Sequence, residues 1–449
     1  MKWALLIIFI LILLGYWKFF YKSYSKTSVP ASADYILTLD VKRVTNTVLW
    51  NLITSPGQWK KISFSSSAGF SWKDMVKIPD YVLVFHSAGQ PANAWYTILE
   101  IKDRKDFNKG LGYYHFEKRS SGGKNLPRYF SKELGVEFIQ HGDRLLLGNL
   151  LVKDSVDIDQ VALELFVKKQ YISKQSLLKN IDAGCHLALQ VLKNNFLAED
   201  GIIKVNFEKR RISIDAILNP TSSFSFTENK FSYSSGSLFA VGFTQPPLAA
   251  YQLFAAGDRE NISKAMNFNI DSLLLQSNAY YQLDITGIQS RMDSAISYSY
   301  DDEFNPVEKV VVNKVLEPSF NFMIKGDSVD HIYNYWSRSG KLEKAASGQM
   351  FVPVPFVKSY CSKNNSTELS VASAGYQQQS TAVEVNCICY LSILFSQVPT
   401  DLLKYLPDDM INAMANIGSL KLVANNNNGK VGLHAILSKK RDSPLLFNW

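Results

Sequence analysis

The residues that could do chemistry are few and poorly spaced for it. Six histidines, His86, His115, His141, His186, His331 and His434, are scattered along 449 residues, and none stands at a metal-ligand interval from another. No His-x-x-x-His, Cys-x-x-Cys or Asp-rich calcium loop occurs, so a metal would have to be gathered from distant segments and none is expected. Cys387-Ile388-Cys389 comes nearest to a ligand pair, because alternation along one strand would put both thiols on the same face. With Cys185 in a similar context, the simpler reading is small core residues. A disulfide from Cys361 to Cys387 or Cys389 stays open in an oxidising compartment.

The most enzyme-like stretch is Gly326-Asp327-Ser328, with Asp330 and His331 close behind the apolar run Phe320 to Ile324. It resembles the nucleophile turn of the Gly-Asp-Ser hydrolases, which implies a cryptic envelope hydrolase using Ser328 and His331 as an alternative function. That family also needs a late Asp-x-x-His, whereas Lys430 stands three residues before His434. A plainer role for Asp327 or Ser328 is to cap the helix that follows. Gly-x-Gly-x-x-Gly, Gly-x-x-x-x-Gly-Lys and Gly-x-Ser-x-Gly are all missing, so no cofactor and no catalytic residue is assigned. Adjacent acids such as Asp301-Asp302 and Asp408-Asp409 point apart and do not make a glycosidase pair. Aromatic residues cluster at Tyr280, Tyr281, Tyr298, Tyr300, Tyr333, Tyr335 and Trp336. Core packing accounts for most of them, but an alternating strand exposes one face, so Tyr298 and Tyr300 cannot both be assigned to a core.

The elements that must position these residues recur as strand, short break, then amphipathic helix. Strands are expected at Asp34 to Leu39, Trp95 to Ile101, Cys185 to Val191, Leu238 to Phe243, Phe320 to Ile324 and Cys387 to Phe395. Helices are expected at Val44 to Ile53, Lys105 to Leu111, Pro246 to Ala256, Ser328 to Trp336 and Pro399 to Leu406. Tyr35 precedes Cys185 by 150 residues and Leu238 precedes Cys389 by 151, which suggests an internal duplication. Each half closes with a hairpin, Gly201 to Leu218 and Ser419 to Leu437, the second turning at an Asn-Gly pair suited to positive φ. Leu99-Glu100-Ile101 also matches Phe322-Met323-Ile324. Polar stretches at Arg119 to Asn125 and Lys358 to Gln379 read as loops, and Asn219 to Gly236 as a linker or edge strand.

The fold expected is therefore α+β, with antiparallel sheets and helices packed on one face, in two tandem duplicated halves behind an N-terminal transmembrane helix. The divisions are residues 1–26 for anchor and tether, 27–222 for the first domain and 223–449 for the second. A hydrophobic fraction of 46% and charged fraction of 20% suit folded domains. The net charge of +8 is the difference of 48 basic and 40 acidic residues spread along the chain. The densest clusters, Lys209-Arg210-Arg211 and Lys439-Lys440-Arg441, suit turns, and no nucleic-acid partner is expected.

Trp3 to Trp17 carries no charge and, with Phe19 and Phe20, makes an apolar helix of roughly 27 Å, enough to span a bilayer. Trp3, Leu5, Ile8, Leu11, Leu14 and Trp17 are its membrane-facing residues, with Lys18 snorkelling. Ala31-Ser32-Ala33 has the form of a cleavage site but lies far beyond the apolar run, so a retained signal anchor is expected. Large C-terminal bodies are translocated despite small charge differences, which favours an extracytoplasmic, periplasmic body on a single-pass inner membrane protein. A cytoplasm-facing membrane scaffold is the remaining alternative.

The run Val29-Pro30-Ala31-Ser32-Ala33-Asp34-Tyr35, followed by a strand and a Val/Leu-rich helix, and the later hairpin Gly142 to Asn149, resemble bacterial membrane-anchored or lipid-anchored extracytoplasmic proteins. Those proteins carry only domain-of-unknown-function labels. The resemblance covers about a quarter of the chain and implies an envelope location with no activity attached. The first cysteine is Cys185, so the lipid attachment site of the lipid-anchored members is missing. The function expected is non-enzymatic binding or scaffolding at the cell envelope, with the membrane and envelope proteins as partners.

Overall fold

A computed structural model describes residues 22–24, 28–54, 71–91, 93–119, 126–149, 158–222, 226–244, 256–265, 279–300, 304–327, 329–346, 348–354, 357–376, 382–399 and 416–440. The transmembrane segment expected at Trp3 to Trp17 lies outside these residues, as do all but the last residue of the helix expected at Pro246 to Ala256 and all but the first of that expected at Pro399 to Leu406. Among those described, no helix is long and apolar enough to cross a membrane. The fold is α+β, dominated by antiparallel sheet. It forms two compact units, one within Met1–Asn219 and one within Pro220–Arg441.

Unit 1 runs β1 (Ala33–Asp40), α1 (Val41–Ile53), α2 (Trp72–Met75), β2 (Val76–Lys77), β3 (Tyr81–Ser87), β4 (Tyr96–Ile101) and α3 (Arg104–Tyr113). The meander β5 (Glu117–Arg119), β6 (Arg128–Ser131), β7 (Val136–His141) and β8 (Arg144–Asn149) follows. Next come α4 (Ile158–Ala162), a π-helical turn (Leu163–Lys168), α5 (Lys174–Ile181), β9 (Leu187–Val191), β10 (Gly201–Phe207) and β11 (Arg211–Leu218). Helix starts follow their caps: Asp40 accepts the Arg43 amide at 2.8 Å before α1, and Asp103 the Asp106 amide at 2.9 Å before α3. The strands pair in the order β5-β6-β7-β8-β4-β3-β1-β9-β10-β11, every pair antiparallel.

Helices cover both faces of this sheet, not the one face that strand-helix alternation suggested. Neighbouring residues divide between two cores: Ile139 and Leu146 pack with Val161, Leu165 and Leu177 of the α4 to α5 segment, while Phe138 and Leu145 pack with Met75 and Phe107 of α2 and α3. Period-two alternation sends Leu145 and Leu146 to opposite sides, so both sides of these central strands are apolar and each needs its own cover.

Unit 2 contains β12 (Asn229–Ser234), β13 (Phe239–Thr244), α6 (Ala256–Ala265), β14 (Tyr280–Tyr300), β15 (Pro306–Lys325) and α7 (Val329–Arg338). A second meander follows, β16 (Leu342–Ala345), β17 (Gly348–Phe351), β18 (Ser359–Asn365) and β19 (Glu368–Ser373). The chain closes with β20 (Ala382–Cys387), β21 (Cys389–Ile393), β22 (Ile417–Asn427) and β23 (Lys430–Lys439). The main sheet reads β16-β17-β18-β19-β15-β14-β13-β21-β22-β23, again antiparallel throughout. At the last hairpin Asn428 and Gly429 have φ of 54° and 83°, the paired positive values that an Asn-Gly turn supplies.

One face of this sheet carries α7, whose Val329, Ile332 and Trp336 meet Ile324, Phe351, Leu369 and Val371. The other carries the separate ribbon β12-β20, where Phe231 packs on Tyr390 and Tyr280. Gly242 makes room for that ribbon, since a Cβ there would stand 2.3 Å from Tyr390 Cε1 and 2.7 Å from Phe231 Cδ1. Polar clamps complete the contact. Gln282 bonds the Ser232 backbone at both N–H and carbonyl, and buried Asp284 accepts from the Ser234 amide at 3.3 Å, from Tyr376 OH at 3.3 Å and from the Ser237 hydroxyl.

Three local expectations change. The polar stretch Lys358 to Gln379 holds the hairpin β18-β19: inward Cys361, Leu369 and Val371 alternate with outward polar residues, and Ser362 and Ser370 share a 2.8 Å hydroxyl contact. Ile388 separates Cys387 from Cys389, so the two thiols sit on different strands with different partners. The strand expected at Phe320 to Ile324 is only the inner end of β15.

Candidate interaction surface

The strands β14 and β15 outgrow the sheet that holds them. β13 pairs with β14 only as far as Ile285, and β19 pairs with β15 only from Asn321. Beyond a register shift between Ile285 and Gly287, the two strands continue alone as a ribbon, from Gly287 opposite Ser319 to Tyr300 opposite Pro306. At about 3.4 Å per residue this arm is roughly 45 Å long. Among the described residues no strand pairs with its outer edges.

Cross-strand partners share a face, so register assigns the side chains. Met292, Ser294, Ile296 and Tyr298 lie on one face opposite Lys314, Val312, Val310 and Glu308. The apolar members are open to solvent: Met292 is 72%, Ile296 63%, Val310 64% and Val312 57% exposed. Fully burying such a side chain is worth about 1.5–3 kcal/mol, so this face forgoes several kcal/mol that a partner would recover. Phe304, at the far end, is 84% exposed. Where the arm leaves the sheet, Arg291 and Glu317 form a 3.0 Å ion pair beside a shallow recess lined by Gln289, Ser319 and Lys358.

Of the aromatic residues singled out from sequence, Tyr281 and Trp336 are buried and Tyr280 packs against Phe231, whereas Tyr298 is 60% exposed with its hydroxyl 3.3 Å from Glu308. Tyr300 closes β14, opposite Pro306. Sequence reasoning missed Met292, Ile296, Val310 and Val312. The available signal was a run rich in β-branched and aromatic residues from Tyr280 to Lys325, interrupted near residues 301–305 and far longer than an ordinary strand of about five or six residues.

Elsewhere the chemistry is structural. Ser328 lies outside the described residues, and His331 is exposed on α7, next to Asp330, whose carboxylate holds Lys363 at 2.5 Å. No group of three or more metal-ligating side chains forms among the described residues. His86 meets Asp34 at 2.6 Å through Nδ1 and the Pro91 carbonyl at 3.0 Å through Nε2, so both ring nitrogens have structural partners. His186 accepts the Phe207 amide at Nδ1 (3.2 Å), which leaves its Nε2 proton for Thr47 Oγ1 at 2.7 Å. Burial lowers the pKa of this neutral ring. All four cysteines are free. Burial pushes the thiols of Cys361 and Cys387 up to about 12, which makes them poor thiolate ligands or nucleophiles.

The anchor residues Trp3, Leu5, Ile8, Leu11, Leu14 and Trp17 all lie outside the described residues. No protein family matches the sequence, and no curated protein matches it. Among solved structures the chain is similar to crystal forms III, I and IV of TP0453, with 11%, 9% and 10% identity. These alignments cover 42%, 44% and 42% of this chain and 77%, 80% and 80% of that one, at TM-scores of 0.27, 0.29 and 0.26, too slight a likeness to carry fold or function.

Proposed function

We propose that this protein is a membrane-anchored, extracytoplasmic protein of the cell envelope with a non-enzymatic binding or scaffolding role, and that the β14-β15 arm is its docking element. The observation that carries the binding role is the arm's exposed apolar face of Met292, Ile296, Val310 and Val312, on a ribbon that supplies no residue from Gly287 to Ser319 to the cores formed among the described residues. The apolar segment Trp3 to Trp17 supports the tether, and with it the envelope location.

The same reading takes the two units as copies of one ancestral domain. Apart from the two-residue β2, which pairs with β4 in unit 1, the two sheet orders coincide, with β1, β3, β4 and β8 standing where β13, β14, β15 and β19 stand. The ladders agree in extent too: β4 pairs with β8 over Tyr96–Glu100 and β15 with β19 over Asn321–Lys325, and a helix follows each of β4 and β15. Of the pairs matched by sequence spacing, Tyr35 lies in β1 and Cys389 in β21, while Cys185 and Leu238 stand just before β9 and β13.

The test is to replace residues 288–318 with an Asn-Gly turn and compare membrane-protein capture by the tagged full-length and shortened chains. A partner retained by the first and lost by the second supports docking through the arm. Identical capture by both removes it. Fusing alkaline phosphatase to the C-terminus tests the location, because that reporter is active only outside the cytoplasm and an inactive fusion would reverse the topology.

A further inference from the structure

Among the described residues no strand pairs with the outer edge of β15 from Pro306 to Phe320, which leaves a long row of backbone donors and acceptors on a β-branched strand, a kind of edge that proteins normally cover, charge or break. Over Val307-Glu308-Lys309-Val310-Val311-Val312-Asn313-Lys314-Val315 no proline breaks it and no strand among the described residues covers it, and its charges, Glu308, Lys309 and Lys314, are of both signs. That run is self-complementary about Val311. If a second copy lies antiparallel with Val311 opposite Val311, then Val310 faces Val312, Val307 faces Val315, Lys309 faces Asn313 and Glu308 faces Lys314, each twice by symmetry. Opposite charges and β-branched pairs directly across strands are the stabilising combinations. Shifting the centre to Val310 sets Glu308 against Val312, and shifting it to Val312 sets Lys314 against Val310. A one-residue slip brings opposite faces together. The β14 edge, with Ser290, Ser294, Ser297 and Ser299, has no comparable pattern.

From this we infer that two copies of the chain join through their β15 edges, about a two-fold axis at Val311, into a four-stranded antiparallel ribbon β14-β15-β15-β14. This rests on reading the arm as the docking element. The two apolar faces then merge, since Val310 and Val312 of each copy become neighbours across the new ladder and Met292 and Ile296 flank them. Glu308 already receives Tyr298 OH and Lys314 has contacts in its own chain, so the new ion pairs add to existing ones and the backbone ladder sets the geometry. A closed two-fold contact of this kind uses the same surface on both partners.

Directly opposed residues of antiparallel strands have Cα atoms about 4.5–5.5 Å apart, within disulfide reach. Val311→Cys in the full chain, oxidised mildly in membranes, is expected to give a covalent dimer. Val307→Cys and Val315→Cys, each alone, are expected to stay monomeric and to cross-link only when mixed. The unsubstituted chain controls for the native cysteines. K314E should abolish the Val311→Cys dimer, and E308K/K314E should restore it. A monomeric Val311→Cys chain, or equal cross-linking at all three positions, overturns the inference. If Val311→Cys stays monomeric while the shortened arm still loses a foreign partner, the docking role stands and only self-pairing fails. If the shortened arm loses nothing and no cross-link forms, both fall.

Discussion

The two units have the same strand order and spend their corresponding hairpins differently. In unit 1, β3 and β4 are joined by a connection beginning at Ala88 and ending at Trp95, held down by His86 gripping Asp34 and the Pro91 carbonyl. In unit 2 the corresponding strands run on past Ile285 and Asn321 into the arm. The second difference lies on the opposite sheet face, covered by the α4 to α5 segment in unit 1 and by the ribbon β12-β20 in unit 2. One sheet order thus stands under two different covers. What it does not need for its core, namely the arm, is where a separate role can be sought.

The largest expected effects test the equivalence of the two helices that follow β4 and β15. Phe107→Ala in α3 and Trp336→Ala in α7 each remove a ring that is 2% exposed, and each should cost about 3–5 kcal/mol, read as a fall in its own unit's unfolding transition. If one is nearly neutral, the helices are not doing the same work. Next is the difference in cover. Gly242→Val drives a side chain into Phe231 and Tyr390 and should cost at least about 1–3 kcal/mol, seen as loss of protection in β12 and β20 by hydrogen exchange before the rest of unit 2. Unchanged protection there would mean that the ribbon does not need that close approach.

A smaller effect separates the units by pH. Burial lowers the folded pKa of His186 below the ordinary 6.5, so its stabilising contribution is complete above that value and is lost as pH falls through the lowered one. Unit 1 should therefore weaken between pH 7 and pH 5, and His186→Gln should flatten that slope in denaturant titrations; an identical slope would remove His186 as the cause. Smallest of all is the stability effect of the arm. Ile296→Ser with Val310→Thr should move the unfolding free energy by less than about 0.5 kcal/mol while reducing partner capture, and a large loss of stability would make the arm part of the core.

Sequence reasoning located the strands at Asp34 to Leu39, Trp95 to Ile101 and Leu238 to Phe243 to within a residue or two, because alternation and short breaks are local signals. The Asn428-Gly429 turn was legible for the same reason. The sheet faces were harder. A strand such as β8, apolar on both sides through Leu145 and Leu146, looks the same whether one face or two are covered. The hairpin β18-β19 hid behind Ser, Asn and Thr, whose outward positions carry no hydrophobic signal. The arm was concealed by the opposite rule, since Val310-Val311-Val312 looks like a core strand, and it is the exposure of Val310 and Val312 and the lack of a neighbouring strand among the described residues that set it apart.

The most direct measurement of the arm's role is amide hydrogen exchange on the full-length chain held in its own membranes. Docking predicts slow exchange at those amides of Val307 to Val315 that point away from β14, since something then covers the edge. If these amides exchange as fast as those of an isolated two-stranded ribbon, the arm is unoccupied and its assignment as a docking element is wrong.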